Sequence, residues 1–203
     1  MDDKALFKLS YGLFVLTAKK GDQDNGCIIN TAIQAADGKI TVAVNKQNLT
    51  HDMIKETGAF TVSILSEKAS FDLFKHFGFQ SGRGTDKFDS FTACKRGQNG
   101  LYYITEGTNA YLSGKVIDTV DLGSHTLFVA TISDMEVLDS APSATYAYYH
   151  ASIKPKPAAQ PKQDNTVWRC TVCGYIYEGE ELPADFVCPL CKHPASDFEK
   201  VTG

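Results

Sequence analysis

Four of the six cysteines crowd into one stretch: Cys170 and Cys173, then Cys188 and Cys191, with fourteen residues between the pairs. Two tight Cys-x-x-Cys turns can bring four thiolates to the corners of a tetrahedron, while backbone N–H groups in the turns spread the charge of the sulfurs. The N-terminal residues Met1-Asp2-Asp3-Lys4 are acidic and no signal-peptide core follows them. The expectation is therefore a cytoplasmic protein, in which such a pattern holds a metal rather than disulfides. A tetrahedral four-sulfur site suits zinc or iron, and spacing alone does not choose between them. Cys27 and Cys94 stand apart. Cys27 reads as a small buried apolar side chain, and Cys94 receives no role.

The segment that presents the four thiols begins after a change of composition. Residues 154–165, Lys-Pro-Lys-Pro-Ala-Ala-Gln-Pro-Lys-Gln-Asp-Asn, hold three of the seven prolines and no aliphatic residue larger than alanine. This reads as a semi-rigid linker between a domain of residues 1–153 and a tail of residues 166–203. The tail has 38 residues, too few to bury a self-sufficient core without a metal or a disulfide. It is also the most acidic part, with six acidic side chains against three basic, which reads equally as a solvated surface or as a face for a basic partner. The whole chain carries 20 basic and 24 acidic side chains and is 43% hydrophobic. That balance excludes a disordered chain and argues against a nucleic-acid binder. The longest apolar run, 12–17, is far too short to span a membrane.

The larger domain reads mainly as strands: 11–19, 26–34, 39–45, 60–65, 110–120 and 126–138, rich in β-branched and aromatic residues. Asp37-Gly38 marks a hairpin. Helices are expected over 50–57, with Thr50 as N-cap and Gly58 as terminator, and over 68–77. Many strands and few helices imply a mainly β fold, a β-barrel with helical decoration. No G-x-G-x-x-G follows a strand, and no two histidines stand at metal-ligand spacing. Polar residues do gather where strands end, at Asn30-Thr31, at Asn45-Lys46-Gln-Asn48-Leu-Thr50-His51, and at Ser81-Gly-Arg83-Gly-Thr-Asp-Lys87. A helix N-terminus among such groups is a ready anion site. Tyr146, Tyr148 and Tyr149 read as core or dimer interface.

Both parts resemble known families. In the tail, Trp-Arg-Cys-Thr-Val-Cys-Gly-Tyr-Ile-Tyr-Glu-Gly and Leu-Pro-Ala-Asp-Phe-Val-Cys-Pro-Leu-Cys resemble the two knuckles and aromatic core of rubredoxins. The short gap between the knuckles resembles the trimmed module of rubrerythrins. The resemblance implies one iron held by Cys170, Cys173, Cys188 and Cys191, passing one electron at a time. Lys192 departs from the glycine usual in the second knuckle. Residues 5–150 resemble the flavin reductase-like family of FMN-binding split barrels, through Asn-Gly-Cys-x-x-Asn-Thr, Asn-Lys-x-Asn-x-Thr-His, Ser-Gly-Arg-x-x-Asp-Lys-Phe and Gly-Ser-His-Thr-Leu-Phe-Val-Ala-Thr. That family implies a homodimer with FMN near the subunit interface. Carried over, Ile29, Asn30 and Thr31 lie along the isoalloxazine and ribityl chain. Asn45, Lys46, Asn48 and Thr50 hold the ribityl and phosphate groups, and Ser81, Arg83 and Lys87 complete the anion site. His125 matches a catalytic histidine beside the flavin, with Ser124 where the family has aspartate.

The pairing of the two parts resembles the high-molecular-weight rubredoxins of anaerobes. It implies electron flow from NAD(P)H through FMN to an Fe(Cys)4 centre, and on to a flavodiiron protein that reduces oxygen or nitric oxide. A flavin takes the two electrons of a nicotinamide hydride and can release them singly. The alternatives are a flavin reductase that releases reduced FMN and carries a structural zinc ribbon, a relay without nicotinamide activity, and a binding module with a zinc tail.

Overall fold

The computed structural model describes residues 2, 5, 8–155, 167–179 and 181–201. The expected linker lies outside the described residues apart from Lys154 and Pro155. Two compact units divide the chain, the first running to Lys154 and the second holding the cysteine-rich tail.

The first unit is mainly β. Its strands are β1 (Phe14–Lys20), β2 (Gln23–Ile29), β3 (Ala32–Ala36), β4 (Lys39–Asn45), β5 (Ala59–Leu65), β6 (Cys94–Arg96), β7 (Tyr102–Ile104), β8 (Thr108–Asp121) and β9 (His125–Val137), with helices α1 (Leu49–Thr57) and α2 (Phe71–Gly78). Seven strands form one antiparallel sheet in the order β2-β1-β5-β8-β9-β4-β3, and β6 and β7 form a separate hairpin. β2 and β3 are the two edges of that sheet, yet only Asn30 and Thr31 separate them in sequence. Two residues reach at most roughly 3.6 Å each, so the sheet must curl until its edges meet. The result is a barrel with a seam at Asn30–Thr31. Expecting one strand over 26–34 was therefore incorrect, because the apolar run hides the step from one edge to the other.

Alternation of side chains sorts two cores. Phe14, Leu16 and Ala18 of β1 face the barrel interior with Phe60, Val62, Phe128, Ala130 and the α1 residues Met53 and Ile54. Leu13 and Val15 face the other way, against Leu73, Phe74 and Phe77 of α2. The long β8–β9 hairpin bends at two register shifts, near Gly114 and near Ile117. Gly114 lies opposite Phe60, and a Cβ there would meet that ring at 2.5 Å, so only glycine lets the curved strands approach. Gly58 (φ 71°) ends α1 as a left-handed cap. The N-cap is Asn48 rather than the expected Thr50, which lies within the helix and is fully buried. The second helix starts at Phe71, three residues later than expected, since Ser70 caps it through Leu73 N–H.

The second unit is a three-stranded sheet in the order β11 (Ile176–Glu178), β10 (Val167–Cys170), β12 (Phe198–Val201). Phe186 packs against Tyr177 at 4.7 Å and Phe198 at 5.4 Å between ring centroids, an aromatic core beside the cysteines.

Candidate functional site

The two Cys-x-x-Cys turns are near copies. Cys170 N–H donates to Tyr175 O and Gly174 N–H to Cys170 O; likewise Cys188 N–H donates to His193 O and Lys192 N–H to Cys188 O. Each turn closes on a left-handed residue, Gly174 (φ 81°) and Lys192 (φ 61°), so lysine takes the conformation for which glycine is favoured. The turns aim all four Sγ atoms at one point. Every pair lies within 4.8 Å, with Cys170–Cys191 at 3.5 Å and Cys173–Cys188 at 3.4 Å. A tetrahedron with metal–sulfur bonds of about 2.3 Å has edges of about 3.8 Å, so the four sulfurs fit a single metal ion. Burial pushes the Cys173 thiol up to about 11 despite the backbone N–H of Tyr175, and pushes the Cys191 thiol up despite that of His193. A bound cation offsets that cost and holds the sulfurs as thiolates.

In the first unit the structure brings the expected residues into two neighbouring groups. At the seam end, Thr31 O accepts Ala43 N–H at 3.1 Å, and Thr31 Oγ1 donates to Asn30 Oδ1 at 3.0 Å. Asn45 and His125 face each other across β4 and β9. Lys46 N–H donates to Ser124 O at 3.0 Å, and Lys46 Nζ to Asp121 at 2.7 Å. Ser124, standing where the family has aspartate, lies 2.9 Å from His125 Nδ1 through its Oγ. Asn45, Lys46 and His125 therefore share one strand end with Asn30 and Thr31.

The second group surrounds the first turn of α1. Asn48 is extended (φ −74°, ψ 133°), and its side chain makes no cap hydrogen bond. Thr50 Oγ1 accepts from Asn25 Nδ2 at 2.9 Å. Asn25 Oδ1 is buried without a partner among the described residues. A Cβ at Gly82 would fall 2.2 Å from that oxygen, so the glycine loop packs directly on Asn25. Ser81 Oγ accepts Arg83 N–H at 3.2 Å, and Arg83 Nη2 donates to Asp52 at 2.6 Å. An uncapped helix start, an orphaned buried amide oxygen and a guanidinium on a Gly-rich loop fit a phosphate-bearing ligand with hydroxyls.

Three expected residues do not join. Thr50 is fully buried and its hydroxyl accepts from Asn25, so it faces the barrel rather than the surface of the site. Ile29 is 7% exposed and belongs to the barrel core, so its side chain is not at the seam surface. Lys87 is turned inward, with Nζ donating to Gly26 O at 2.8 Å and Phe77 O at 2.9 Å. Those carbonyls take up two of its three donors, and at 2% exposed it is buried away from Ser81 and Arg83 rather than completing an anion site with them. Conversely, Asn25, His51, Asp52 and Thr126 were given no role. Three of them lay inside quoted runs: Asn25 opens Asn-Gly-Cys-x-x-Asn-Thr, His51 closes Asn-Lys-x-Asn-x-Thr-His, and Thr126 follows His125 in Gly-Ser-His-Thr; Asp52 carried no signal.

The profile of the family described as flavin reductase like domain matches residues 6–156. The chain belongs to the flavin reductase-like family. That of the rubrerythrin, rubredoxin-like domain matches residues 168–199, so the tail is a rubredoxin-like domain. The chain is 38% identical to the high molecular weight rubredoxin of Moorella thermoacetica, over 99% of this chain and 100% of that protein. It is 39% identical to the ferric-chelate reductase (NAD(P)H) of Archaeoglobus fulgidus, over 77% of this chain and 93% of that one. Among solved structures, the NADH:FAD oxidoreductase SgcE6 of Streptomyces globisporus superposes with a TM-score of 0.61 at 20% identity, covering 70% of this chain and 84% of that one. The FMN-binding protein of Thermus thermophilus does so with a TM-score of 0.59 at 19% identity, covering 85% and 84%. These likenesses establish the split-barrel fold. The chain is thus an electron-transfer oxidoreductase, a flavoprotein domain joined to a rubredoxin-like metal domain. Among the described residues no helix is long and apolar enough to cross a membrane.

Proposed function

We propose that this chain carries electrons from NAD(P)H through FMN in the first unit to an iron ion held by Cys170, Cys173, Cys188 and Cys191, and on to an acceptor such as a flavodiiron protein. The observation that carries the reading is the convergence of four sulfurs on one point in a chain whose other unit is a flavin reductase-like barrel. Bound flavin supplies the exchange between hydride and single-electron chemistry, and iron supplies a one-electron acceptor. Asn30, Thr31 and Asn45 line the flavin ring end and Asn48, Ser81 and Arg83 hold the phosphate, with His125 beside the ring. The ferric-chelate reductase (NAD(P)H) relative supports the nicotinamide donor.

The same face supports homodimer formation through the first unit. Ala43 pairs with Leu127 beside Asn45 and His125. Ile33, Ile117, Val120 and Leu122, near or around that face, are all at least 46% exposed. A monomer leaves these apolar groups in water; a second copy covers them and encloses the flavin. In the tail, Val187 and Leu190 flank Cys188 and are 51% and 54% exposed, leaving the metal turn open to an electron acceptor.

The test is a visible spectrum of the purified protein before and after anaerobic NADH. Flavin and ferric-thiolate bands that both bleach support the relay. A flavin band with zinc in the metal analysis would reduce the tail to a structural ribbon and the protein to a flavin reductase. Flavin and iron that both ignore NADH and NADPH would leave a carrier reduced by another protein, and a protein that binds no flavin would overturn the reading.

A further inference from the structure

A buried imidazole joins parts of the barrel that are distant in sequence. His51 is 4% exposed and lies in the first turn of α1 with both ring nitrogens engaged. Nδ1 is 2.9 Å from Asp52 Oδ1, and Nε2 is 2.9 Å from Thr126 Oγ1. Phe128 packs against the ring at 5.6 Å between centroids. The other oxygen of Asp52 accepts from Arg83 Nη2. The hydrogen bond from His51, then that from Arg83, hold the Asp52 carboxyl below its usual range. An ionised carboxylate only accepts, so His51 donates from Nδ1; in the neutral imidazole Nε2 then accepts the Thr126 hydroxyl proton. The chain Thr126–His51–Asp52–Arg83 thus runs from the barrel core to the exposed glycine loop.

We propose that His51 is a positioning residue for the phosphate group of the flavin, acting through Asp52 to fix the guanidinium of Arg83. This rests on the reading above, in which Arg83 meets the phosphate. The Arg83 side chain is 52% exposed and stands between Gly82 and Gly84. Alone, such a side chain loses rotamer freedom on binding an anion. Asp52 is itself 48% exposed, and a surface ion pair holds geometry poorly. The carboxylate becomes a rigid mount because its second oxygen is tied to an imidazole that cannot move. One N–H of Arg83 goes to Asp52, and the others of the planar fork remain for a phosphate. The same imidazole ties α1 to Thr126, the neighbour of His125, so the phosphate end and the ring end of the site share one anchor.

The test compares FMN with riboflavin, which lacks the phosphate, by fluorescence titration of full-length protein freed of flavin. Arg83→Ala is expected to weaken FMN about tenfold or more while barely affecting riboflavin. Thr126→Val and His51→Leu touch neither ligand, yet each is expected to narrow the FMN preference by about fivefold. Either change should add little once Arg83 is already alanine. Asp52→Asn, on the surface, reads the same chain if a buried variant does not fold. Equal loss of both ligands in the Thr126, His51 and Asp52 variants would mean general loosening and would overturn the proposal. An unchanged preference in Arg83→Ala would instead remove the phosphate assignment beneath it, so the two failures are distinguishable.

Discussion

Burial of a charged lysine costs the barrel stability that alkali should restore. Lys87 is 2% exposed, and its Nζ is bound to the carbonyls of Gly26 and Phe77. Burial pushes its pKa down from 10.5 to about 8, an effect the nearby Cys27 partly opposes. The unfolded chain keeps this proton up to about pH 10.5, the folded chain only to about pH 8. Between those values the unfolded state binds more protons, so stability rises with pH. A gap of about 2.5 pH units at about 1.4 kcal/mol per unit amounts to about 3.5 kcal/mol in full. Lys87→Met removes the titrating group and keeps most of its stem. Urea unfolding of both proteins is followed by far-UV circular dichroism from about pH 7 to about pH 10, because the single Trp168 lies in the tail. Burial raises Cys27, and burial pushes Tyr111 up to about 12, both of which lower stability in alkali. Tyr111 is present in both proteins and cancels in the comparison; Cys27 loses the opposing charge of Lys87 in the variant and titrates higher still, which adds to the difference. The native protein is expected to gain roughly 2.5 kcal/mol on the variant across the range, which stops short of the unfolded pKa. Two stability curves that stay parallel would refute the reasoning.

Three further outcomes are expected. Lys192→Gly relieves a left-handed lysine and should stabilise the metal-bound tail by about 1 kcal/mol, read from the temperature at which Trp168 fluorescence changes. Gly114→Ala places a methyl 2.5 Å from the fully buried Phe60 ring and should cost the barrel roughly 1–3 kcal/mol in urea unfolding. Cys188→Ser removes one of four converging ligands; metal content should fall to near zero and Trp168 fluorescence should report an unfolded tail, with flavin-domain thermal unfolding unchanged.

What the sequence disclosed depended on how local each structure is. The four-thiol cluster could be read completely, because two four-residue turns place all four sulfurs and the backbone does the rest; spacing left the choice of zinc or iron open. β4 was read to the residue, since its ends are marked by a Gly38 turn and a polar exit at Asn45. The seam was not, because nothing in the apolar run from Gly26 to Gln34 records that β2 and β3 must lie on opposite edges of the sheet. Thr50 resembled a cap by residue type, but its hydroxyl is claimed by Asn25 from another strand. Lys87 sits in a basic, glycine-rich run that suggests an anion, whereas Phe77 and Gly26 supply its partners only once α2 has packed on the barrel. Similarly, the pairing of His51 with Thr126 spans 75 residues and leaves no trace in local pattern.

The two sites solve opposite problems with surface. The barrel interior is filled by Leu16, Val42, Val44, Phe60 and Phe128, each essentially inaccessible, so a flavin has no room inside. As proposed above, it lies on the outer face, where Asn45 and His125 stand beside half-buried Ala43 and Leu127. A site on an open sheet face excludes water only when something covers it, and the exposed apolar residues around it make a second copy the fitting cover. The tail has no such need. Its sulfurs are mostly buried by their own turns while Val187 and Leu190 remain in water. One-electron transfer needs approach rather than enclosure. If a second copy covers this face as proposed, charged substitutions there, such as Val120→Asp, should separate the two copies and loosen flavin while leaving metal content unchanged. Leu190→Asp should slow transfer to the external acceptor without altering flavin binding or dimerisation. Sedimentation and flavin titration of both variants test this division, and a Leu190→Asp protein that lost flavin would refute it.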